Sequence, residues 1–307
     1  MFYGIDTSCY TTSLAVTDAQ GRLLCDERKV LDVACGQRGL RQSDGVFQHL
    51  QNLPVLAEKL SSASGALRLQ AVAASTRPRP VAGSYMPVFT VGSSFGRTLA
   101  ATLGVPFIAL SHQECHILAG QWSAGVNWDD FYALHVSGGT TEILWVESNG
   151  GLIIRELGGS ADLHAGQFID RVGVSLGLGF PAGPALEKLA LQCVGNPLTV
   201  PVAVCDESIS FSGPESHVQR AVSAGASSPA AVARGVEECV AQSLWRLIRN
   251  IFRKAGVRPV LFVGGVMANS YIRLFLAERL GEGAAFAAPQ FAGDNAVGAA
   301  LFAQIFA

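Results

Sequence analysis

The chain has 307 residues, 49% of them hydrophobic and 15% charged, with a formal net charge of −2. This composition is typical of a well-buried α/β protein and excludes a disordered one. The small net charge excludes a general attraction to nucleic acid or acidic membranes. No apolar run is long enough to span a bilayer. We expect the start MFYGIDTSCY not to be a signal peptide, because it has neither a basic flank nor an apolar region of the required length. With seven cysteines and no CxxC pair, we expect a cytoplasmic protein with reduced thiols and no membrane partner.

A sequence repeat opens each half of the chain. The segment YGIDTSCYTTSLAVTDAQGRLL (3–24) aligns without a gap with YALHVSGGTTEILWVESNGGLI (132–153), at an offset of 129 residues. Each copy has the pattern of a strand, a small polar turn, a second strand and a glycine turn. The sequence therefore predicts a β-hairpin at the start of each of two halves. The alternative is two unrelated hairpins with a common pattern.

Strands and helices alternate after each hairpin. The patterns predict strands over 69–75, 106–110 and 259–265, and helices over 45–62, 92–103, 167–178, 183–193, 230–255, 268–280 and 294–306. Segments 76–91 and 194–216 have no clear pattern and are predicted to be irregular. Such alternation indicates largely parallel sheet beyond the hairpins, and the length favours two α/β lobes.

Two histidines stand four residues apart in the segment SHQECHILAG (111–120). On a helix, His112 and His116 share one face, so both imidazoles can bind one ion. We expect Ser111 to cap this helix. Glu114 lies roughly 200° round the helix from the pair, so it does not fit the general base of an HExxH protease. The alternative is an ordinary polar helical turn that binds no metal.

A catalytic metal at this pair needs a third ligand, which we expect to be a carboxylate. The sequence offers Asp6, Asp170 and Asp294, each beside a glycine-rich turn. Asp294 begins a predicted helix, where an N-cap is the alternative role.

Glycine pairs follow two predicted strands. VSGGT (136–140) presents backbone N–H groups that suit a phosphate. In FVGGVMAN (262–269), Gly264 and Gly265 end a strand just before a helix. Glycine there lets a nucleotide approach the backbone closely, and close packing of strand on helix is the alternative.

Together these segments resemble the TsaD-like family of tRNA N6-adenosine threonylcarbamoyltransferases, formerly described as the M22 glycoproteases. The similarity extends over GIDTSCYTT, SHQECH, VSGGT, AGQFIDRVGVSLGLGFPAGP, SISFSG, FVGGVMANSYIR and AGDNA, in the family's order. It implies an α/β, duplicated two-lobe actin/hexokinase-type (ASKHA) fold with mixed sheets and a central cleft. We expect residues 1–110 with 293–307 to form the first lobe and 111–292 the second, with metal and nucleotide in the cleft.

The resemblance also implies roles for individual residues. It assigns His112, His116 and Asp294 as the catalytic ligands of one divalent metal, iron or zinc. It places His135, Val136, Ser137, Gly138 and Gly139 near phosphate. It places Asp170, Gly183, Glu187 and Asn269, in addition to Gly265, around an adenine nucleotide or acyl-adenylate.

The implied reaction is transfer of threonylcarbamoyl from threonylcarbamoyl-AMP to N6 of the tRNA adenosine beside the anticodon. The implied partners are tRNA, a paralogue that forms a dimer, and an ATPase subunit. Two alternatives stay open, a related carbamoyl or acyl transfer to another acceptor and a nucleotide-binding pseudo-enzyme that pairs with a true transferase. An arginine stripe at 246, 249 and 253 is either a phosphate-facing surface or a solvated helix face.

Several positions depart from the family pattern. Tyr10 and Thr11 replace two acidic residues, Thr140 replaces a histidine, and Pro214 with Glu215 stand where a lysine is expected. The largest departure is the segment STRPRPVAGSYMPVF (75–89), which carries Arg77 and Arg79 between prolines. The chain thus resembles a divergent paralogue, and we expect this segment to set substrate choice, with its arginines binding an anion.

Overall fold

The computed structural model describes residues 1–8, 10–33, 40–64, 67–148 and 151–307. Cys9 and residues 149–150 of the second predicted glycine turn lie outside the described residues. The strands are β1 (Phe2–Asp6), β2 (Thr11–Thr17), β3 (Leu23–Val30), β4 (Ala71–Arg77), β5 (Phe107–Ser111), β6 (Asp130–Val136), β7 (Thr141–Ser148), β8 (Leu152–Ser160), β9 (Ala203–Cys205), β10 (Ser208–Ser210), β11 (Val260–Val263) and β12 (Ala284–Phe286).

The helices follow the strands in alternation over much of the chain. They are α1 (Gln42–Ser64), α2 (Phe89–Leu103), α3 (His112–Ala124), α4 (Ala165–Ser175), α5 (Gly183–Ala190), α6 (Ser212–Ser223), α7 (Pro229–Ala255), α8 (Ser270–Leu280), α9 (Pro289–Ala292) and α10 (Val297–Phe306), with short 3-10 turns at Gly265–Ala268 and Gly281–Gly283. Within the described part of the chain, no helix has both the length and the apolarity needed to cross a membrane.

The contacts divide the chain into two compact units. Unit 1 comprises Met1–Gly125 with Gly293–Ala307, and unit 2 comprises Val126–Ala292. The sequence-based division ends the first lobe at residue 110, whereas unit 1 also contains α3. This helix packs against α10, and they approach so closely that a Cβ on Gly298 would lie 2.0 Å from the Cys115 carbonyl oxygen.

Unit 1 is built on a sheet with the strand order β3-β2-β1-β4-β5. The first three strands in the chain are antiparallel, and β4 and β5 run parallel to β1. β1 is buried along its whole length, and its apolar side chains, such as Ile5, pack with Leu14, Val72 and Ala74 in the core. The sheet therefore brings Asp6, at the end of β1, beside the ends of β4 and β5.

Unit 2 repeats this order within the sheet β12-β11-β6-β7-β8-β10-β9. β6 and β7 form the antiparallel hairpin, and β11 runs parallel to β6. Asp6 pairs with Ser13 across the first hairpin, and His135 pairs with Glu142 across the second. Both residues of the second pair follow those of the first by 129 positions, which is the offset of the sequence repeat. The predicted duplication thus holds at the level of strand register, which two unrelated hairpins would not require.

The predicted helices and strands are present, with shifts at their ends. The segment 194–216, predicted to be irregular, contains the hairpin β9–β10 and the start of α6. The helical pattern of α6 is weak because only Pro214 and Val218 are buried along it. The final helix begins at Val297 rather than at Asp294.

Candidate functional site

Three side chains in unit 1 converge on one point, two from helix α3 and one from the segment before helix α10. The Nε2 atoms of His112 and His116 lie 3.0 Å apart, and each lies 3.3 Å from Oδ1 of Asp294. Both histidines are buried, with 8% and 2% of their surfaces exposed. The cluster thus presents two imidazole nitrogens and one carboxylate oxygen to the same small volume.

The start of α3 fixes the histidine pair. Ser111 is the N-cap residue, as predicted, and its hydroxyl accepts a hydrogen bond from the Glu114 backbone N–H. The Glu114 carboxylate in turn accepts from the Ser111 N–H at 2.6 Å, which completes a capping box. Glu114 therefore stabilises the first turn of the helix that carries both histidines.

Asp294 reaches the histidines from the segment before α10. The N-cap position of this helix is Ala296, and the Oδ1 atom of Asn295 accepts from the Val297 N–H at 3.1 Å. The Ala296 N–H donates to the Ser13 hydroxyl on β2, which holds the segment against the sheet. Asp294 is therefore not the N-cap of α10, and its carboxylate faces the histidines.

A second carboxylate supports the cluster from behind. Nδ1 of His112 lies 3.3 Å from Oδ2 of Asp6, which is fully buried. The Ser8 and Ser75 hydroxyls both donate to the Asp6 carboxylate. A carboxylate at the far nitrogen of a metal-binding histidine fixes the ring's orientation and tautomer. Of the three sequence candidates for a third ligand, Asp294 lies at the histidines, Asp6 lies behind His112, and Asp170 belongs to unit 2.

The spacing and the charges of this cluster fit a divalent cation. Donors bonded to one ion at about 2.0–2.1 Å lie roughly 2.8–3.4 Å from one another, and the observed separations are 3.0 and 3.3 Å. Burial acts to lower the pKa of His112, but the Asp6 and Asp294 carboxylates raise it to about 10. Burial acts to raise the pKa of Asp294, and both histidines nevertheless hold it far below its usual range. The fully buried Asp6 carboxylate and the partly buried Asp294 carboxylate favour positive charge at this point, and nitrogen and oxygen donors suit zinc or iron.

A separate cavity of about 300 Å³ lies within unit 2. It is lined by Gly138, Gly166, Ile169, Asp170, Pro181, Gly183, Pro184, Glu187, Gly265, Val266, Ala268 and Asn269. Six of these residues are in the predicted nucleotide set, namely Gly138, Asp170, Gly183, Glu187, Gly265 and Asn269. The other predicted residues, His135, Val136, Ser137 and Gly139, are not among its lining residues.

The polar side chains of this cavity are held by backbone groups. Oδ1 of Asp170 accepts from the Ala182 N–H at 2.7 Å, and burial raises the pKa of Asp170. Oε1 of Glu187 accepts from the Ser270 N–H at 2.8 Å. Asn269 is the N-cap residue of α8, because its Oδ1 accepts from the Ile272 N–H. The cavity thus has a fixed polar rim around a largely apolar wall.

The two glycines of FVGG have different roles. Gly264 has φ 96°, and a Cβ there would lie 2.3 Å from the Val136 carbonyl oxygen. It is therefore required by the close approach of β11 to β6. A Cβ on Gly265 would meet no atom within 4 Å, so this position borders open space in the cavity. The packing interpretation thus applies to Gly264, and the ligand interpretation applies to Gly265.

Comparison with known families identifies this arrangement. Residues 43–301 match the family described as "TsaD: tRNA N6-adenosine threonylcarbamoyltransferase". The chain belongs to the TsaD family. Membership confirms the family predicted from the motifs, and it makes the chain a member of an acyltransferase family whose members generally bind a metal.

Solved structures show that the TsaD chain has the actin/hexokinase-type fold. The activator of 2-hydroxyisocaproyl-CoA dehydratase from Clostridium difficile, with bound ADPNP, is similar at a TM-score of 0.57 and 19% identity, covering 99% of this chain and 94% of that one. A ROK family glucokinase from Streptomyces griseus, in complex with glucose and AMPPNP, has a TM-score of 0.54 and 15% identity over 99% of both chains. Full-length HypF, in a phosphate- and nucleotide-bound form, has a TM-score of 0.60 and 13% identity over 98% of this chain and 54% of its own. The predicted ASKHA fold is confirmed.

The segment that departs most from the TsaD pattern lies beside α3. Arg77 ends β4 and is paired in register with Ser111, the residue before His112. Arg77 is half-buried as a residue, and its guanidinium has no hydrogen-bond or ion-pair partner among the described residues. Arg79 is exposed, and its N–H donates to the Ser84 hydroxyl. The Pro78 carbonyl accepts from the Gln113 N–H, which ties this segment to the histidine helix.

Sequence reasoning misses the residues that support the two sites. The pattern assigns Ser75 only to a strand, yet its hydroxyl holds the Asp6 carboxylate. The cavity residue Gly166 lies one helical turn before Asp170 on α4, so helical spacing from Asp170 is the signal that could have found it. For Ser75 there is no local signal, because its contact with Asp6 depends on the pairing of β1 with β4.

Proposed function

We propose that this TsaD protein is a metal-dependent transferase that moves a threonylcarbamoyl group from threonylcarbamoyl-AMP to N6 of the tRNA adenosine beside the anticodon. The observation that carries the proposal is the convergence of His112, His116 and Asp294, at 3.0–3.3 Å, on one point. A purely structural helix start would not require the Nε2 atoms of two buried imidazoles to face each other and one carboxylate oxygen, because two protonated nitrogens 3.0 Å apart would repel each other.

In this proposal each side chain has a distinct task. His112 and His116 would bind the ion through their Nε2 lone pairs, and Asp294 would bind it through a carboxylate oxygen. Asp6 faces Nδ1 of His112, so a hydrogen bond from Nδ1–H to its carboxylate would leave Nε2 as the ligand atom once the ion is bound. A zinc or iron ion held there would supply Lewis-acid polarisation of the acyl donor. The attacking group is the N6 amine of the adenosine, so the chain needs no covalent nucleophile.

The cavity of unit 2 is proposed to bind the adenosine part of the donor. Its glycines at 138, 183 and 265 leave room for a ligand close to the backbone. The backbone N–H group of Gly138, which lines the cavity, would stabilise charge on the leaving AMP. The carboxylates of Asp170 and Glu187 keep acceptor atoms at the rim for ligand hydroxyl or amino groups.

The proposed partners are those of the family, namely tRNA, a paralogue and an ATPase subunit, in the cytoplasm. The arginine stripe gives limited support to tRNA contact. Arg246 donates to the Val202 carbonyl and Arg249 lies 6.0 Å from the Trp245 ring, so both have intramolecular contacts, while Arg253 is exposed.

The test is transfer in a defined mixture. This protein is incubated with unmodified tRNA and threonylcarbamoyl-AMP, with and without the paralogue from the same cells. The tRNA nucleosides are then measured by mass spectrometry. We expect N6-threonylcarbamoyladenosine with the wild type and its loss with His116→Ala. The matched control is His217→Ala on α6, which removes a histidine of unit 2. Equal product from wild type and His116→Ala would contradict the metal assignment.

A second candidate is a related acyl transfer to another acceptor, and the observation that favours it is the partnerless Arg77 beside the histidine helix in the described part of the chain. Product on a small amine but not on tRNA would support this candidate. A third outcome would identify a regulatory pseudo-enzyme. In that case the protein would bind metal and nucleotide without turnover on either acceptor, and it would increase the transfer rate of the paralogue.

A further inference from the structure

A buried carboxylate lies behind the rim of the unit 2 cavity. Glu237, on α7, is fully buried. Its Oε1 accepts a hydrogen bond from Nδ2 of Asn269 at 2.6 Å, and its Oε2 lies 2.6 Å from Nη1 of Arg234. Arg234 also lies over the Tyr271 ring on α8, 4.3 Å from its centroid. One oxygen of this carboxylate therefore accepts a hydrogen bond, and the other forms an ion pair.

Asn269 connects this carboxylate to the cavity. Its Nδ2 donates to Glu237, its Oδ1 accepts from the Ile272 N–H, and the residue lines the cavity. The two ends of a side-chain amide are not interchangeable, since one only donates and the other only accepts. The orientation of Asn269 at the cavity is thus defined by an acceptor on one side and the α8 backbone on the other.

We propose that Glu237 is a positioning residue for adenine-nucleotide binding, and that it acts only as an ionised carboxylate that orients Asn269. The inference rests on the proposed function of the cavity. A carboxylate accepts at both oxygens, so it can face Arg234 and Asn269 together. A carboxylic acid or an amide has a donor on one side, and that donor must oppose either the Arg234 guanidinium or the Asn269 amino group. Either conflict releases Asn269 from its orientation.

The charges around Glu237 place its ionisation near neutrality. Burial raises its pKa to about 7, although the hydrogen bond from Asn269 and the charge of Arg234 lower it. Glu187 on α5 and Glu238 on α7 raise it further. Tyr271 on α8 also faces this group. We therefore expect nucleotide binding to weaken as the pH falls below 7.

Stability has the opposite dependence on pH. Because the fold raises the pKa of Glu237, the ionised carboxylate costs folding free energy, and the cost grows from about pH 4.5 and is complete above pH 7. Glu237→Gln removes this pH-dependent cost, whatever constant offset the unpaired Arg234 adds. The Tm of the wild type should therefore fall more between pH 6 and pH 8 than the Tm of the variant, and the variant should bind nucleotide weakly at both pH values.

The test is calorimetric binding of ADP at pH 6 and pH 8, with thermal melting under the same conditions. The matched control is Glu278→Gln, which removes an exposed negative charge from α8. For the wild type and the control we expect ADP to bind about tenfold more weakly at pH 6, as follows when one charge-assisted hydrogen-bond arrangement is lost. For Glu237→Gln we expect weak binding at both pH values and a smaller change in Tm between pH 6 and pH 8.

The outcomes separate this inference from the function on which it rests. Wild-type affinity and pH dependence in Glu237→Gln would overturn the positioning role and leave the cavity assignment intact. A wild-type fall in Tm between pH 6 and pH 8 that Glu237→Gln shows in full would also overturn it, because Glu237 would then not titrate in this range. Absence of ADP binding by the wild type at both pH values would overturn the cavity assignment and this inference together. The wild-type side-chain amide signals of Asn269, followed by NMR, provide a measurement without a variant and should shift with a midpoint near pH 7.

Discussion

Nδ1 of His112 lies 3.3 Å from Oδ2 of Asp6, while Nε2 of the same ring faces His116 and Asp294. The imidazole is therefore held between the Asp6 carboxylate and the point where the three proposed ligand atoms converge. This contact links strand β1, which carries Asp6, to helix α3, which carries His112. We therefore expect Asp6 to affect metal affinity, although it is not one of the three proposed ligands.

We predict that Asp6→Asn weakens metal binding by about 10–100-fold, the usual cost of losing such a supporting carboxylate. The amide keeps the size of the side chain but can turn its amino group towards Nδ1. Competition with a coloured chelator measures the affinity. Asp129→Asn, at an exposed position of unit 2, is the control. Equal affinities in Asp6→Asn and wild type would show that Asp6 serves only to pack the end of β1.

The repeated hairpins are predictable from the sequence because their signals are local. Each has apolar alternation and a polar turn, and the gap-free offset of 129 residues alone aligns His135 with Asp6. Helix α7 is equally clear, because Ser228 with Pro229 marks its start and Gly256 its end. Helix α6 is not predictable in this way, because its first residues, Ser212, Gly213 and Pro214, are typical of a loop.

The sites are only partly predictable because their members are far apart in the chain. The spacing of His112 and His116 indicates a shared helical face, but it leaves the third ligand open among three aspartates. Asp294 lies 178 residues from His116, and only the packing of α10 against α3 and β1 brings it there. The link between Glu237 and Asn269 likewise depends on the packing of α7 against α8.

We predict that Gly265→Val abolishes ADP binding without unfolding the protein. A Cβ at this position meets no protein atom within 4 Å, so the branched side chain would extend into the space that the nucleotide is proposed to occupy. Calorimetry with ADP measures the loss of binding, and a melting curve shows that the variant is folded.

Two further glycines serve as controls for this prediction. Gly213→Val, on α6 and also in open space, should leave ADP binding unchanged. Gly264→Ala should instead destabilise the fold, since its Cβ would lie 2.3 Å from the Val136 carbonyl oxygen at a φ of 96°. Unchanged ADP affinity in a folded Gly265→Val variant would remove this glycine from the nucleotide site.

We predict that replacing Arg77 and Arg79 with alanine impairs substrate or partner binding while metal content and folding stay intact. Arg77 is half-buried beside Ser111 and has no partner among the described residues, so an anion there would gain a charge-assisted hydrogen bond of roughly 1.5–3 kcal/mol. Arg79 is exposed and should contribute about 0–1 kcal/mol. The single variants Arg77→Ala and Arg79→Ala measure the two contributions to the binding free energy separately. If the double variant binds every candidate nucleotide, tRNA and partner as the wild type does, the segment 75–89 does not set substrate choice.

We predict that His49 makes the protein less stable as the pH falls from 7 to 5. This residue of α1 is fully buried, and its Nδ1 lies 2.8 Å from Oγ1 of Thr12. Nδ2 of Asn52 donates to the same oxygen, which leaves the Thr12 hydroxyl proton for Nδ1 of a neutral imidazole. Burial lowers the pKa of His49 to about 4, although the Asp6 and Asp294 carboxylates act in the opposite direction.

The depressed pKa fixes the sign of this effect. Below about pH 6.5 the unfolded chain binds a proton at His49 that the folded protein does not bind until about pH 4. The difference costs roughly 2 kcal/mol of stability between pH 7 and pH 5. Urea unfolding at both pH values should therefore show that the wild type loses unfolding free energy from pH 7 to pH 5. The loss should be smaller by this amount in His49→Gln, whatever constant offset the substitution adds. His217→Gln, on α6, should lose as much stability as the wild type. Parallel losses in wild type and His49→Gln would show that His49 does not titrate in this range.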